Sequence, residues 1–83
     1  MTYCVYMLKC ISSVQKRTYV GYTKNLNIRL KSHNSNKGAK YTKGNKWKVI
    51  YKKKFLTKTK AMSYEYILKH DRKKRLKIYN NHK

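Results

Sequence analysis

Glu65 and Asp71 are the only carboxylate side chains in a chain of 83 residues that carries 23 Lys and Arg. That count limits the available chemistry before any motif is read. Two-metal phosphoryl transfer needs several carboxylates to hold two cations about 4 Å apart. The two acids lie six positions apart, a rotation of about 240° on one continuous helix, so they do not converge on one ion. A multi-carboxylate metal site is excluded, and any hydrolytic metal chemistry must work with one carboxylate. There is no phosphate-cradling Walker loop, no G-x-S-x-G elbow and no dinucleotide fingerprint. His33, His70 and His82 have no metal-ligand spacing. Cys4 and Cys10 lie six residues apart in a strand-like segment, about 20 Å at ~3.3 Å per residue, too far to bridge and unlike a zinc knuckle.

Position singles out three further residues. Ala61, Met62 and Leu68 flank Glu65 at helical spacing, which sets the carboxylate on or beside a core-facing stripe. A solvated Glu65 pairing with Lys69 at i, i+4, worth about 0.3–0.5 kcal/mol, fits the same pattern, and the sequence leaves both readings open. Arg29 and His33 are also i, i+4, at the margin of an apolar stripe. They are placed either as rim contacts or as groups entering a groove, where Arg29 would offer a phosphate the planar fork that Lys lacks.

The elements that must position these residues follow from periodicity. Tyr3 to Cys10 is apolar on both faces, Cys4, Tyr6, Leu8 and Cys10 on one and Tyr3, Val5 and Met7 on the other, which predicts a central strand. Ser12 to Arg17 is a hairpin-length connection, and Thr18 to Tyr22 a second strand. A third strand runs from Trp47 to Phe55, where Trp47, Val49 and Tyr51 alternate with lysines. Thr23 or Asn25 caps a helix to about His33 with Leu26, Leu30 and His33 on one stripe. Residues 34–45 read as loop. Thr57 or Thr59 starts a second helix to about Lys69, and Asp71 a third to about Tyr79, packing through Leu76 and Tyr79. The expected fold is a single α/β (α+β) domain over residues 1–83 in the order β-β-α-β-α-α, burying roughly 60% of the surface of its unfolded chain.

The net charge of +21 names the partner class. Hydrophobic residues make up 40% of the chain, including nine tyrosines, which is too rich in core formers for a disordered polycationic tail. A folded polycation repels itself and is relieved by salt or an anionic polymer, so nucleic acid is the expected counterion. Lysine outnumbers arginine 19 to four, a preference that biased coding DNA accounts for, but such bias does not account for the near absence of acids. No apolar run approaches the ~20 residues that span a bilayer and none resembles a secretory signal, so the expectation is an intracellular protein that does not use a membrane.

Taken in order, Val5-Tyr6, Tyr19-Val20-Gly21, Arg29, His33-Asn34, Lys37-Gly38-Ala39-Lys40-Tyr41-Thr42 and Glu65 resemble the GIY-YIG nuclease superfamily, in particular its compact stand-alone members. The resemblance covers Tyr3 to about Lys74. It implies a three-stranded mixed or antiparallel sheet flanked by helices, and a DNA endonuclease, of the kind found in repair or recombination, that uses one divalent cation. Residue by residue, it makes Tyr6 and Tyr19 the motif tyrosines, Gly21 the motif glycine, Arg29 the catalytic arginine, and Glu65 the single metal ligand. His33 and Tyr41 match positions that assist the nucleophile or hold phosphate. The first motif departs from the family pattern, reading Cys4-Val5-Tyr6 where Gly-Ile-Tyr is usual. A carboxamide that some members carry after the metal glutamate has no match in Arg75 to Ile78, and Asn80 does not align with it.

In the mechanism this implies, Tyr6 or Tyr19 takes a proton from water, Tyr6 being slightly favoured. The +21 field and the cation would favour the phenolate of a group whose reference pKa is about 10. Glu65 would hold Mg²⁺ or Mn²⁺, one ion, while Arg29 offsets charge on the non-bridging oxygens. Lys37, Lys40, Lys43 and Lys46, with Lys52 to Lys54, Lys69 and the lysines of 73–77, would track the DNA backbone without reading sequence. Tyr41 and Trp47 offer rings to unpaired bases. With no separate reading module, cleavage would be structure-directed or weakly sequence-selective. The alternatives are a non-catalytic basic nucleic-acid-binding protein on the same fold and, less favoured, a metal-free ribonuclease built on histidines.

Overall fold

A computed structural model describes residues 2–12, 17–35 and 37–81. Its elements are β1 (Tyr3–Cys10), β2 (Thr18–Thr23), α1 (Leu26–Asn34), a 3-10 turn (Lys40–Thr42), β3 (Trp47–Phe55), α2 (Lys58–His70) and α3 (Arg72–Asn80). The order is the one the sequence predicts. Residues 13–16 of the predicted hairpin connection, and His82, lie outside the described residues; on either side of the connection Cys10 N donates to Arg17 O at 3.0 Å.

The strand that is apolar on both faces is the central one: the sheet order is β2-β1-β3, antiparallel throughout. Val5, Met7 and Leu8 are fully buried and Tyr6 is 1% exposed. Because side chains alternate along β1, they divide between two cores. Val5 and Met7 meet Val20, Ile50 and, from α2, Ala61 and Leu68. Tyr6, Leu8 and Cys10 meet Trp47 on the other face, with Tyr19, Val49 and the Leu26 and Leu30 of α1 around them. Both cysteines are buried free thiols.

Each helix begins at a side-chain cap. Asn25 accepts from Ile28 N, Thr57 from Lys60 N and Asp71 from Lys74 N. These bonds satisfy amides that the first helical turn leaves without partners. Asp71 is therefore spent on starting α3, and it does not join Glu65.

Three sequence expectations are corrected. The alternation in β3 breaks at a register shift, where Met7 and Leu8 face Tyr51 and Val49 and leave Ile50 as the extra residue. Trp47 and Val49 thus serve one core, and Ile50 and Tyr51 the other. In α3, Leu76 is 46% exposed, and the residues that pack are Ile78 and Tyr79. In α2, Met62 is exposed, which leaves Ala61 and Leu68 as the buried stripe with Glu65 at its border.

Candidate active site

Tyr6, Tyr19, Arg29 and His33 converge on the face of the sheet that α1 covers. Tyr6 OH lies 2.9 Å from His33 Nε2, and His33 Nδ1 lies 2.9 Å from Thr42 Oγ1. Thr42 Oγ1 in turn donates to Ala39 O at 2.8 Å. That last bond fixes the proton order of the whole chain. A hydroxyl has one proton to give, so Thr42 must accept from His33 Nδ1–H. His33 Nε2 is then the acceptor, and Tyr6 donates to it. His33 and Thr42 are both fully buried, and burial, with the nearby Arg29 charge, holds the imidazole below its usual pKa. The site contains a neutral histidine whose free lone pair points at a phenol.

The glycines make room for this arrangement. A Cβ at Gly21 would stand 2.7 Å from Tyr6 OH and 3.0 Å from Tyr19 Cε2. Register pairs Gly21 with Tyr6, so any side chain there would occupy the phenol's place. At Gly38 an added Cβ would strike the His33 ring. Tyr19 lies against His33, ring centroids 4.9 Å apart, and stacks on Tyr41 at 6.3 Å and 24°.

Arg29 lies beside both phenols, and its pKa is pushed up, first by hydrogen bonding with Tyr6. The expected phenolate at Tyr6 is not what this environment favours. Its pKa is pushed up to about 12, because loss of water outweighs the opposing bond and charge of Arg29. The +21 of the chain is spread over a solvated surface, and a buried phenol feels its own surroundings first.

Glu65 approaches on α2, along β2. Its side chain is 18% exposed and its Oε1 lies 3.7 Å from Lys69 Nζ, so the two readings left open by the sequence hold together. The carboxylate borders a shallow apolar cleft with Tyr22, Met62, Tyr66 and Ile67. Its negative charge is felt at Tyr6, weakly, and Lys69 lines the neighbouring cleft with Tyr19 and Tyr41. Glu65 is thus largely withdrawn from water, beside Tyr22 of β2. Among the described residues no three His, Cys, Asp or Glu side chains gather around a common point. The donor set is one half-screened carboxylate, which suits a hard cation completed by phosphate and water oxygens.

Lys37, Lys40, Tyr41, Lys43 and Lys46 are all exposed around the 3-10 turn that ends at Thr42. Trp47 is not available to a base: it is 2% exposed and its Nε1 donates to Thr42 O at 3.0 Å. Sequence reasoning assigned no role to Thr42 or to Asn34, which clamps the start of β3 through Trp47 N at 2.6 Å and Trp47 O at 3.1 Å. Both lie inside the motif already quoted, and the signal was a short polar side chain next to a residue that must be held still.

The fold that carries these residues belongs to a known class of domain. The family profile described as "GIY-YIG catalytic domain" matches residues 2–82, and the chain belongs to that family of nuclease domains. It is 47% identical over 66 residues to the UPF0213 protein OB0043 of Oceanobacillus iheyensis, covering 78% of this chain and 73% of that one. Against the UPF0213 protein YazA of Bacillus subtilis it is 40% identical over 75 residues, 89% of this chain and 73% of the other. The solution NMR structure of the UPF0213 protein BH0048 from Bacillus halodurans superposes with a TM-score of 0.56 at 36% identity, covering 96% of this chain and 84% of that one. No helix among the described residues is long and apolar enough to cross a membrane.

Proposed function

We propose that the chain is a DNA endonuclease that hydrolyses phosphodiester bonds with one divalent cation, Mg²⁺ or Mn²⁺, and with Tyr6 acting through His33. The observation that carries this reading is the directed chain from Tyr6 O–H to His33 Nε2, His33 Nδ1–H to Thr42 and Thr42 O–H to Ala39 O. A phenol with a pKa of about 12 is not a base by itself at neutral pH. As a relay it does not need to be one. The Tyr6 oxygen accepts a proton from the attacking water while its own proton passes to His33 Nε2, which is neutral and unprotonated at that atom. The water oxygen gains nucleophilicity as it meets phosphorus, and the leaving oxygen departs in line.

Arg29, beside both phenols, offsets charge on the non-bridging oxygens, and Tyr19 walls the site and orients the group that enters it. Glu65 would hold the cation, which supplies Lewis-acid stabilisation of the phosphate and its leaving oxygen when bound. Burial and Arg29 keep the His33 imidazolium unfavourable, so its proton passes back through Tyr6 to solvent while the departing alkoxide takes a proton from solvent, which resets the site. The exposed lysines around the 3-10 turn hold DNA by its backbone and do not discriminate sequence.

Nicking of supercoiled plasmid in Mg²⁺ tests this reading, with DNA affinity measured alongside. Glu65→Gln and Arg29→Ala should each lower nicking by about a hundredfold or more and change affinity by about twofold or less. EDTA should abolish wild-type nicking. Wild-type protein that binds DNA tightly and never nicks it would establish the non-catalytic binder instead.

A further inference from the structure

Arg75 has no assigned part in the site above, yet its Nε is buried without a hydrogen-bond partner among the described residues. Buried donors in folded proteins are nearly always paired, so an orphaned guanidinium nitrogen marks the place of an absent acceptor. Arg75 lies on α3 where two clefts meet at the start of β2. One, of about 370 Å³, is lined by Thr18, Tyr19, Val20, Tyr41, Lys69 and Arg75. The other, of about 270 Å³, includes Met7, Thr18, Arg72 and Arg75. Tyr41, on the wall of the first, also carries Arg17, whose guanidinium lies 4.6 Å from the centre of the Tyr41 ring and whose Nη2 donates to Tyr41 O at 3.4 Å.

Two cations from two helices, Lys69 of α2 and Arg75 of α3, therefore line a space that Tyr19, the phenol that packs on His33, also walls. No carboxylate lines this space among the described residues, and Lys69 pairs with Glu65 at 3.7 Å. We propose that the cleft is a second phosphate subsite, in which Arg75, with Lys69, grips a backbone phosphate flanking the scissile one. The assignment rests on the phosphodiester reading above and extends it: α3 then helps to set which bond enters the Tyr6–His33 site. Arg suits the task because its planar fork can keep two parallel bonds to one phosphate, whereas Lys acts as a point charge.

Thymidine 3′,5′-bisphosphate, titrated without divalent metal, probes the subsite independently of cleavage. Its binding should shift the Arg75 Nε–Hε resonance downfield, identified by its loss in Arg75→Lys. Both Arg75→Ala and Arg75→Lys should weaken binding about tenfold, while Lys58→Ala, an exposed cation at the start of α2, should change it less than about twofold. A second arm uses a short substrate scanned with neutral methylphosphonates. In wild type one flanking position should slow cleavage about tenfold when neutralised, and in Arg75→Ala that position should cease to matter. An unmoved Nε–Hε signal at saturation, or an Arg75→Lys variant equal to wild type, would overturn the subsite and leave the nuclease reading intact. Bisphosphate binding through Arg75 in a protein that never nicks DNA would do the reverse.

Discussion

Tyr6 and Tyr64, one associated with each core, receive opposite treatment. On the α1 face Tyr6 is buried against neutral His33 and its pKa rises to about 12. On the α2 face Tyr51 OH and Tyr64 OH lie 2.6 Å apart, and Lys74 Nζ donates to Tyr64 at 2.7 Å. Lys53 also stands over the Tyr64 ring at 5.0 Å. There the Tyr64 phenol is pulled below its usual pKa despite its burial, by its bonds to Lys74 and Tyr51 and by the charges of Lys74 and Lys53, while Tyr51 is pushed up to about 12. The lesson concerns range: a lysine in contact changes a phenol, whereas a net charge of +21 spread over the surface does not. Tyr6 is kept protonated, and its hydrogen bond runs to the His33 imidazole.

The contrast can be broken in four ways, beginning with the largest effect. Tyr6→Phe removes the relay oxygen and should reduce nicking about a hundredfold or more, while Tyr64→Phe should stay within about twofold of wild type. Comparable losses in the two variants would erase the distinction. Second, Gly21→Ala puts a methyl group 2.7 Å from Tyr6 OH. It should cost about 1–3 kcal/mol in denaturant unfolding and displace the phenol, with nicking falling further than stability alone explains.

Third, stability should depend on pH through His33. Its folded pKa is depressed, so below the ordinary value of about 6.5 the unfolded chain binds more protons than the folded one. The stabilisation is present above that value and is lost as pH falls towards the folded pKa. Urea unfolding between pH 7 and 5 should show the decline, and His33→Gln should flatten it. Tyr6 has the opposite sign: its stabilising contribution is complete below about pH 10 and is lost as pH rises through about 12. Fourth and smallest, Lys74→Ala should raise the Tyr64 pKa, seen as a later phenolate absorbance step, with little effect on nicking.

The sequence made the strand order, the helix caps and the side chains that gather on the α1 face visible, because each had a local cause. An apolar run on both faces can only be central, and Leu26, Leu30 and His33 fall on one helical stripe. What stayed hidden depended on contacts across the fold. The bulge that leaves Ile50 unpaired in register is a property of two strands together. The raised pKa of Tyr6 follows from how completely α1 and the Thr42 turn remove water, which no count of charges reveals. Arg75 reads in sequence as one more cation in a basic helix, and only packing shows that its Nε is buried without an acceptor among the described residues.

Long-range nitrogen–proton NMR of the His33 imidazole at pH 7 reads directly whether the ring is neutral with Nε2 free to receive the Tyr6 proton. The expected spectrum has a protonated Nδ1 and an unprotonated, hydrogen-bond-accepting Nε2, a pattern that Thr42→Val should disturb. A ring protonated at Nε2, or at both nitrogens, would contradict it.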